Sequence, residues 1–344
     1  MNFQNCQFCF THTNGQNVYL FTLCNDNGTT VNISNYGAII TAFKITTSLG
    51  KLHDIVLGFD NVPDYLSDEY LVNYPYFGSA IGRYANRIKN GEFILDGKKY
   101  LVAKNKGTDH LHGGWEGFDK KVWEVVSASQ QQLRLRYLSV DGEEGYPGNL
   151  QVEIHFELTG DNQLIYEYFA HTDRPTIANL THHSYFNLDG NAGIDAHEVK
   201  INSSHTLEQD DNYVVTGQLI PVAGNRFDFR QFKRIDEDWK ATEGYDQTFI
   251  IDKTAEGMDF AAEARSQKTG LKLQVFTTEP VVHFYTGKWI PTVKGKNGNT
   301  YGPFAGFCFE THKHPNAINI AGFPNTIVRP GETYHTKTIY RVMH

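Results

Sequence analysis

Residues 150–172 read LQVEIHFELTGDNQLIYEYFAHT, and this stretch decides the fold class. Leu150, Val152, Ile154, Phe156 and Leu158 fall on one face and Gln151, Glu153, His155 and Glu157 on the other, the two-residue period of a half-buried strand. TGDNQ is a turn, and LIYEYFAHT is the returning strand of an antiparallel hairpin. Working outward, residues 91–102, GEFILDGKKYLV, fold the same way across Asp96-Gly97. KVWEVV and LRLRYLSV flank SASQQQ as a third hairpin. Asn-Gly or Asp-Gly pairs recur at 14–15, 27–28, 90–91, 141–142 and 189–190, each a turn signal. Helical signals are few: residues 233–241 and the segment around Ala261–Ala264 read as a turn or two each. No linker, repeat or low-complexity tract divides the chain. Residues 1–344 are therefore expected to form one all-β domain, a large antiparallel β-sandwich with few short helices. Without long amphipathic helices, a Rossmann fold or a barrel of βα units is disfavoured.

The bulk properties narrow the function. The 344 residues carry a net charge of −8 and no long basic run, which argues against nucleic acid or an anionic membrane as partner. The 23 Phe and 19 Tyr suit strands, and ring faces also stack on the C–H patches of sugars. No stretch approaches the ~20 apolar residues that span a bilayer. The N-terminus has no Lys or Arg before Lys44 and lacks the pattern of a secretory signal, so a cytoplasmic location is expected. Cys6 and Cys9 form a C-x-x-C pair, but Cys24 and Cys308 stand alone, and no second pair completes a zinc site.

Chemistry-bearing residues collect in five places: GRYANRIKNG (82–91), HLHGG (110–114), THHSYFNLDG (181–190), EGYDQTF (243–249) and FETHKHPNA (309–317). Arg87 is either a fork for hydroxyl or carboxylate oxygens or an exposed strand-end cation. The glycines after His112 suggest a backbone that something approaches closely. His182 and His183 are adjacent, so on a strand they point to opposite faces and do not easily ligate one metal. One is free to face a cleft, with Ser184, Tyr185 and Asn187 nearby to fix a tautomer. Glu310 sits between Phe309 and Thr311 after an apolar run, a setting that raises a carboxyl pKa and suits a general base. Together, a candidate His acid, a candidate Glu base and several hydroxyl-gripping groups suit acid–base work on a polyhydroxylated ligand. Phosphate-loop, nucleophile-elbow, dinucleotide and H-E-x-x-H motifs do not occur.

The set GRYANRI, HLHGGWEGFDKKVW, DGEEGYPGNL, NLTHHSYFNLDG, GYDQTF, FYTG and GFCFETHKHPNAIN resembles the galactose mutarotase (aldose 1-epimerase) family, in consistent order from about Asn32 to the C-terminus. The resemblance implies a β-sandwich with an open cleft. It also implies interconversion of the α and β anomers of free hexoses such as galactose and glucose, by a monomer or homodimer without metal or organic cofactor. By motif match, His183 is the general acid and Glu310 the general base, while Asn86, Arg87, His112 and Asp246 grip the sugar. His283 stands where members often carry a sugar-reaching Gln, and is assigned to substrate binding. His182, Glu279 and His312 also depart from the family's usual Asn or Gln, and a cationic His312 beside Glu310 is expected to lower its pKa. Rival readings are a hexose-6-phosphate epimerase using Arg83, Lys89 or Arg134 for the phosphate, a non-catalytic sugar-binding module, and a glycosidase built on Asp246 and Glu310.

Overall fold

The computed structural model describes residues 5–46, 52–190, 193–239, 243–254 and 257–344. Every strand ladder among them is antiparallel, and no helix exceeds five residues, the length of Val62–Leu66 and Asp68–Val72. The all-β reading holds. A nine-stranded sheet runs in the spatial order Glu124–Ala128, Gln132–Ser139, Leu150–Leu158, Gln163–Thr172, Tyr334–Met343, Lys272–Thr277, Asp259–Arg265, Glu198–Ile201 and Lys233–Arg234. The three hairpins expected from the sequence are all present, with Leu150 opposite Thr172 and Leu158 opposite Leu164.

The two-residue period is what builds the core. Leu150, Val152, Ile154, Phe156 and Leu158 are at most 1% exposed and join one hydrophobic cluster. That cluster also takes Phe21, Leu23, Val31 and Ile33 from a five-stranded N-terminal sheet, and Phe249, Val282, Phe284 and Phe309 from a second one. The second sheet, in the order Val215–Pro221, His205–Gln209, Asp246–Ile250, Val281–Tyr285 and Cys308–His312, lays one face on the core. Its other face is therefore left to carry function.

The two helical expectations are corrected. Lys233–Arg234 is a strand paired with Glu198 and Val199, followed by turns; residues 240 and 241 lie outside the described residues. Ala261–Ala264 belongs to the strand Asp259–Arg265, flanked on both sides within the nine-stranded sheet. Ala261, Ala262 and Ala264 are fully buried there. Alanine's helix preference is worth only tenths of a kcal/mol per residue, and two strand ladders outweigh it. Among the described residues no helix is long and apolar enough to cross a membrane.

Candidate active site

Three neighbouring strands of the second five-stranded sheet set out a row of polar side chains. Register places Thr248 opposite His283, and His283 opposite Glu310. Alternation puts Asp246, Thr248, His283, Cys308, Glu310 and His312 on one face, while Phe249, Val282, Phe284 and Phe309 go to the core. His183 reaches this face from another direction. Thr181–His182 pairs with Ala80–Ile81, and the His183 N–H donates to the Ser79 carbonyl at 2.9 Å. Its Nε2 then lies 3.5 Å from Glu310 Oε1.

A third group comes from the Arg87–Ile88 and His110–Leu111 pair. Asn86 and His112 hold each other. The His112 N–H donates to the Asn86 carbonyl at 3.1 Å, and the Asn86 N–H donates to His112 Nδ1 at 3.3 Å. Asn86 Oδ1 accepts the Arg87 N–H at 2.8 Å. Gly113 follows at φ 91°, and a Cβ there would sit 1.8 Å from the Gly82 carbonyl oxygen. The close approach read from HLHGG is this contact within the protein's own backbone.

All seven residues singled out from the sequence line one cleft of about 420 Å³: Asn86, Arg87, His112, His183, Asp246, His283 and Glu310. That volume falls within the range of small-molecule sites. Sequence reasoning missed several other wall residues. Tyr76 stacks on His183 with ring centroids 5.8 Å apart, and Tyr185 and Tyr285 also line the wall. Trp115 and Trp289 stand exposed at the rim. The sequence marks Tyr185 only as a partner that could fix a histidine tautomer, and for the others only the general aromatic richness of the chain gives a hint. Among the described residues, the buried Arg87 Nε and Glu310 Oε2 have no hydrogen-bond partner.

Burial governs the electrostatics. It pushes Glu310 up to about 7; His283 and Arg87 pull the other way, and Asp246 adds to the rise. Burial pushes His183 down to about 3, with its own carbonyl opposing, and drives His112 well below the ordinary imidazole value. Burial also pushes Asp246 up, but the hydrogen bond from His283 and the charges of His283, Arg87 and His183 bring it below its ordinary value. His283 Nε2 lies 2.9 Å from Asp246 Oδ1, and its Nδ1 lies 2.9 Å from Thr248 Oγ1.

His112, His183 and Glu310 bring one potential metal ligand atom each within 4.8 Å of one another. However, the Asn86 N–H occupies Nδ1 of a neutral His112, so its Nε2 carries the proton. The residue therefore offers the cleft a donor rather than a lone pair. This suits a hydroxyl oxygen better than a cation.

The family model described as aldose 1-epimerase matches residues 19–341. The chain belongs to the aldose 1-epimerase family. It is 41% identical over 318 residues to galactose mutarotase of Homo sapiens, covering 90% of each chain. It is 34% identical over 336 residues to aldose 1-epimerase of Escherichia coli strain K12, covering 95% of this chain and 96% of that one. Among solved structures, an aldose epimerase homologue from C. elegans superposes with a TM-score of 0.88 at 31% identity, covering 94% of this chain and 98% of that one. Galactose 1-epimerase from Lactobacillus acidophilus NCFM gives a TM-score of 0.84 at 26% identity, covering 98% of both.

Within this aldose 1-epimerase fold the departures take definite places. His182 turns away from the cleft, between Ser184 Oγ at 3.2 Å and the Ala38 carbonyl at 3.1 Å. His312 shares the strand face of Glu310, but burial pushes it down to about 3, so it is neutral. The expected lowering of Glu310 by a cationic His312 is corrected: the opposing histidine is His283, and burial prevails. Glu279 is buried outside the cleft, and burial raises its carboxyl. The three cations weighed for a phosphate are committed elsewhere. Arg83 is sealed in the interior on Ser139, Val140, Pro147 and Thr176. Arg134 pairs with Glu153, and Lys89 with Asp210.

Proposed function

We propose that the protein interconverts the α and β anomers of free hexoses such as galactose and glucose, with His183 and Glu310 exchanging the protons. It does so in the cytoplasm as a single-domain enzyme of residues 1–344, monomeric or homodimeric, without metal or organic cofactor. The observation that carries this reading is the His183–Glu310 pair, 3.5 Å apart and sealed at the base of a cleft lined by hydroxyl-gripping groups.

The chemistry follows from the reaction. An aldose inverts at C1 only if its ring opens, which needs a proton on the ring oxygen and removal of one from the C1 hydroxyl. His183 as imidazolium delivers the first and Glu310 as carboxylate takes the second. The aldehyde turns about the C1–C2 bond and the ring recloses on the other face with roles reversed. The two groups together hold one proton. Burial favours the neutral arrangement of imidazole and carboxylic acid, and the reactive charged arrangement has the same proton count. Arg87, His112, Asp246 and His283 grip the remaining hydroxyls, so the open chain stays in place while C1 turns. Asn86 contributes by fixing Arg87 and His112.

Polarimetry of freshly dissolved α-D-galactose and α-D-glucose tests the reading. Faster approach to anomeric equilibrium with enzyme supports it. No acceleration of either sugar, with turnover of hexose 6-phosphates instead, would replace it.

A further inference from the structure

Trp115 lines the cleft and is 60% exposed, and its indole has no hydrogen-bond, ring or cation partner among the described residues. Its backbone is the opposite case. The Trp115 and Glu116 N–H groups donate to the two carboxylate oxygens of Glu144, each at 3.0 Å. The Trp115 carbonyl accepts from Lys120 Nζ at 2.5 Å. Asn105 holds the same loop from its other end: its amide donates to the Leu111 and Gly114 carbonyls at 2.9 Å each, and its Oδ1 accepts the Leu111 N–H at 2.8 Å. Gly114, at φ 108°, lets the carboxylate in, since a Cβ there would overlap Glu144 Oε2. We propose that Trp115 is a further substrate-binding residue, its indole laid against a C–H patch of the hexose, and that Glu144 is its positioning residue. This rests on the cleft being the site that holds a free hexose.

The stretch DGEEGYPGNL, which the proton chemistry leaves without a role, builds this clamp. Glu144 sits at φ 51°, a left-handed backbone that a residue with a side chain adopts only at a cost. Its neighbours hold it there. Glu143 accepts from the hydroxyls of Tyr137 and Ser139 and pairs with Lys121 at 3.3 Å. The Tyr146 hydroxyl donates to His110 Nε2 at 2.5 Å, and His110 Nδ1 donates to the Ala103 carbonyl at 2.7 Å. The Glu144 carbonyl accepts the Ala103 N–H at 3.1 Å. Backbone strain that the surroundings hold in place on every side accompanies functional sites. The product is a fixed backbone that presents a free indole to the cleft. An indole is large and stiff, with few torsions to freeze, so it contacts a ligand at little entropic cost. A pyranose carries patches of C–H bonds, and covering one with a ring face removes apolar area from water on both partners. Trp289, the second indole exposed at the rim, is less free: Lys288 Nζ already sits 4.8 Å from its ring centre.

Galactose already at anomeric equilibrium undergoes no net reaction, so its binding is read directly on the wild-type protein. Nitrogen-15 NMR of the indole N–H groups reports Trp115, Trp123, Trp239 and Trp289, and Trp115→Phe assigns the first. The Trp115 signal is expected to shift as galactose is added. The Kd is expected to rise about fivefold to tenfold in Trp115→Ala and to stay near wild type in Trp115→Phe, which keeps a ring face. In anomerisation, KM should rise by the same factor in Trp115→Ala with a smaller change in kcat. Glu144→Gln turns one acceptor into an amide that meets an N–H. It is expected to speed hydrogen exchange at the Trp115 and Glu116 amides and to raise Kd severalfold, but to add nothing in a Trp115→Ala background, because Glu144 acts through Trp115. An unshifted Trp115 signal, an unchanged Kd in Trp115→Ala, or a Glu144→Gln loss of the same size in both backgrounds would overturn the proposal. Galactose binding at Trp115 without accelerated anomerisation would count against the proposed activity and leave the role of Trp115 standing.

Discussion

His183 Nε2 and Glu310 Oε1 lie 3.5 Å apart, and the two side chains are 4% and 2% exposed. At that distance in a dry setting the pair titrates as a unit with one shared proton over the neutral range. Glu310 is pushed up to about 7 by burial and His183 down to about 3. The singly protonated pair is the working form, so losing its last proton removes the acid. We expect kcat/KM, which reports the free enzyme, to fall tenfold per pH unit above about 7. A profile flat to pH 9 would contradict this.

Arg87 is 8% exposed, and its guanidinium carbon sits 5.4 Å above the centre of the Tyr213 ring. The residue lines the cleft, where its guanidinium can meet the sugar. Arg87→Ala is expected to raise KM about tenfold to a hundredfold with a smaller change in kcat, the signature of lost uniform binding. Arg87→Lys is expected to recover little, because a point charge replaces a planar fork. Full recovery with lysine would show that only charge matters.

His283 bridges Asp246 and Thr248 at 2.9 Å on each side. Removing it frees the Asp246 carboxylate and leaves the upward push of burial less opposed. His283→Ala should raise KM about tenfold, a typical cost for one hydrogen bond to a charged group. His283→Gln replaces the imidazole with the amide that the family resemblance leads one to expect at this position. A changed ratio of kcat/KM for galactose over glucose in that variant is the expected outcome. An unchanged ratio would remove His283 from the specificity determinants.

The buried histidines make a prediction about acid stability. Burial pushes His110 and His182 down to about 4 and His312 down to about 3. The unfolded chain protonates these groups near 6.5, before the folded one does. Their contribution is complete above about 6.5 and is lost as the pH falls toward 4, at about 1.4 kcal/mol per pH unit for each histidine. Glu310 acts in the opposite sense between about 7 and its ordinary range, because the folded state holds its proton more tightly. His112, His183 and His314 are pushed down as well and Asp119 and Glu279 pushed up, so these six histidines stand against three carboxyls and leave a net loss. Urea midpoints should fall steadily from pH 6.5 to 5, and constancy over that interval would contradict the assignment.

The sheet architecture was legible because alternation such as Leu150 to Leu158 specifies a buried face without help from the rest of the chain. The alanines at 261–264 misled for the complementary reason: their neighbours in the nine-stranded sheet decide their conformation, and those neighbours are distant in sequence. The site residues were legible through motif resemblance. Their convergence was not, since His183 meets Glu310 only after a cross-strand register and a separate short pairing are both in place. Protonation was partly legible. An apolar flank signalled a raised Glu310, but the neutrality of His312 depends on burial that no local pattern reveals.

The central claim is that His183 and Glu310 together move the protons that open the ring. The most direct measurement is polarimetry of α-D-galactose with wild type, His183→Ala and Glu310→Ala, each matched for thermal unfolding. Wild type is expected to speed anomerisation, and each variant to lose about 10²- to 10⁴-fold in kcat, the usual contribution of a positioned acid or base. If either variant retains wild-type kcat, that residue does not carry the proton.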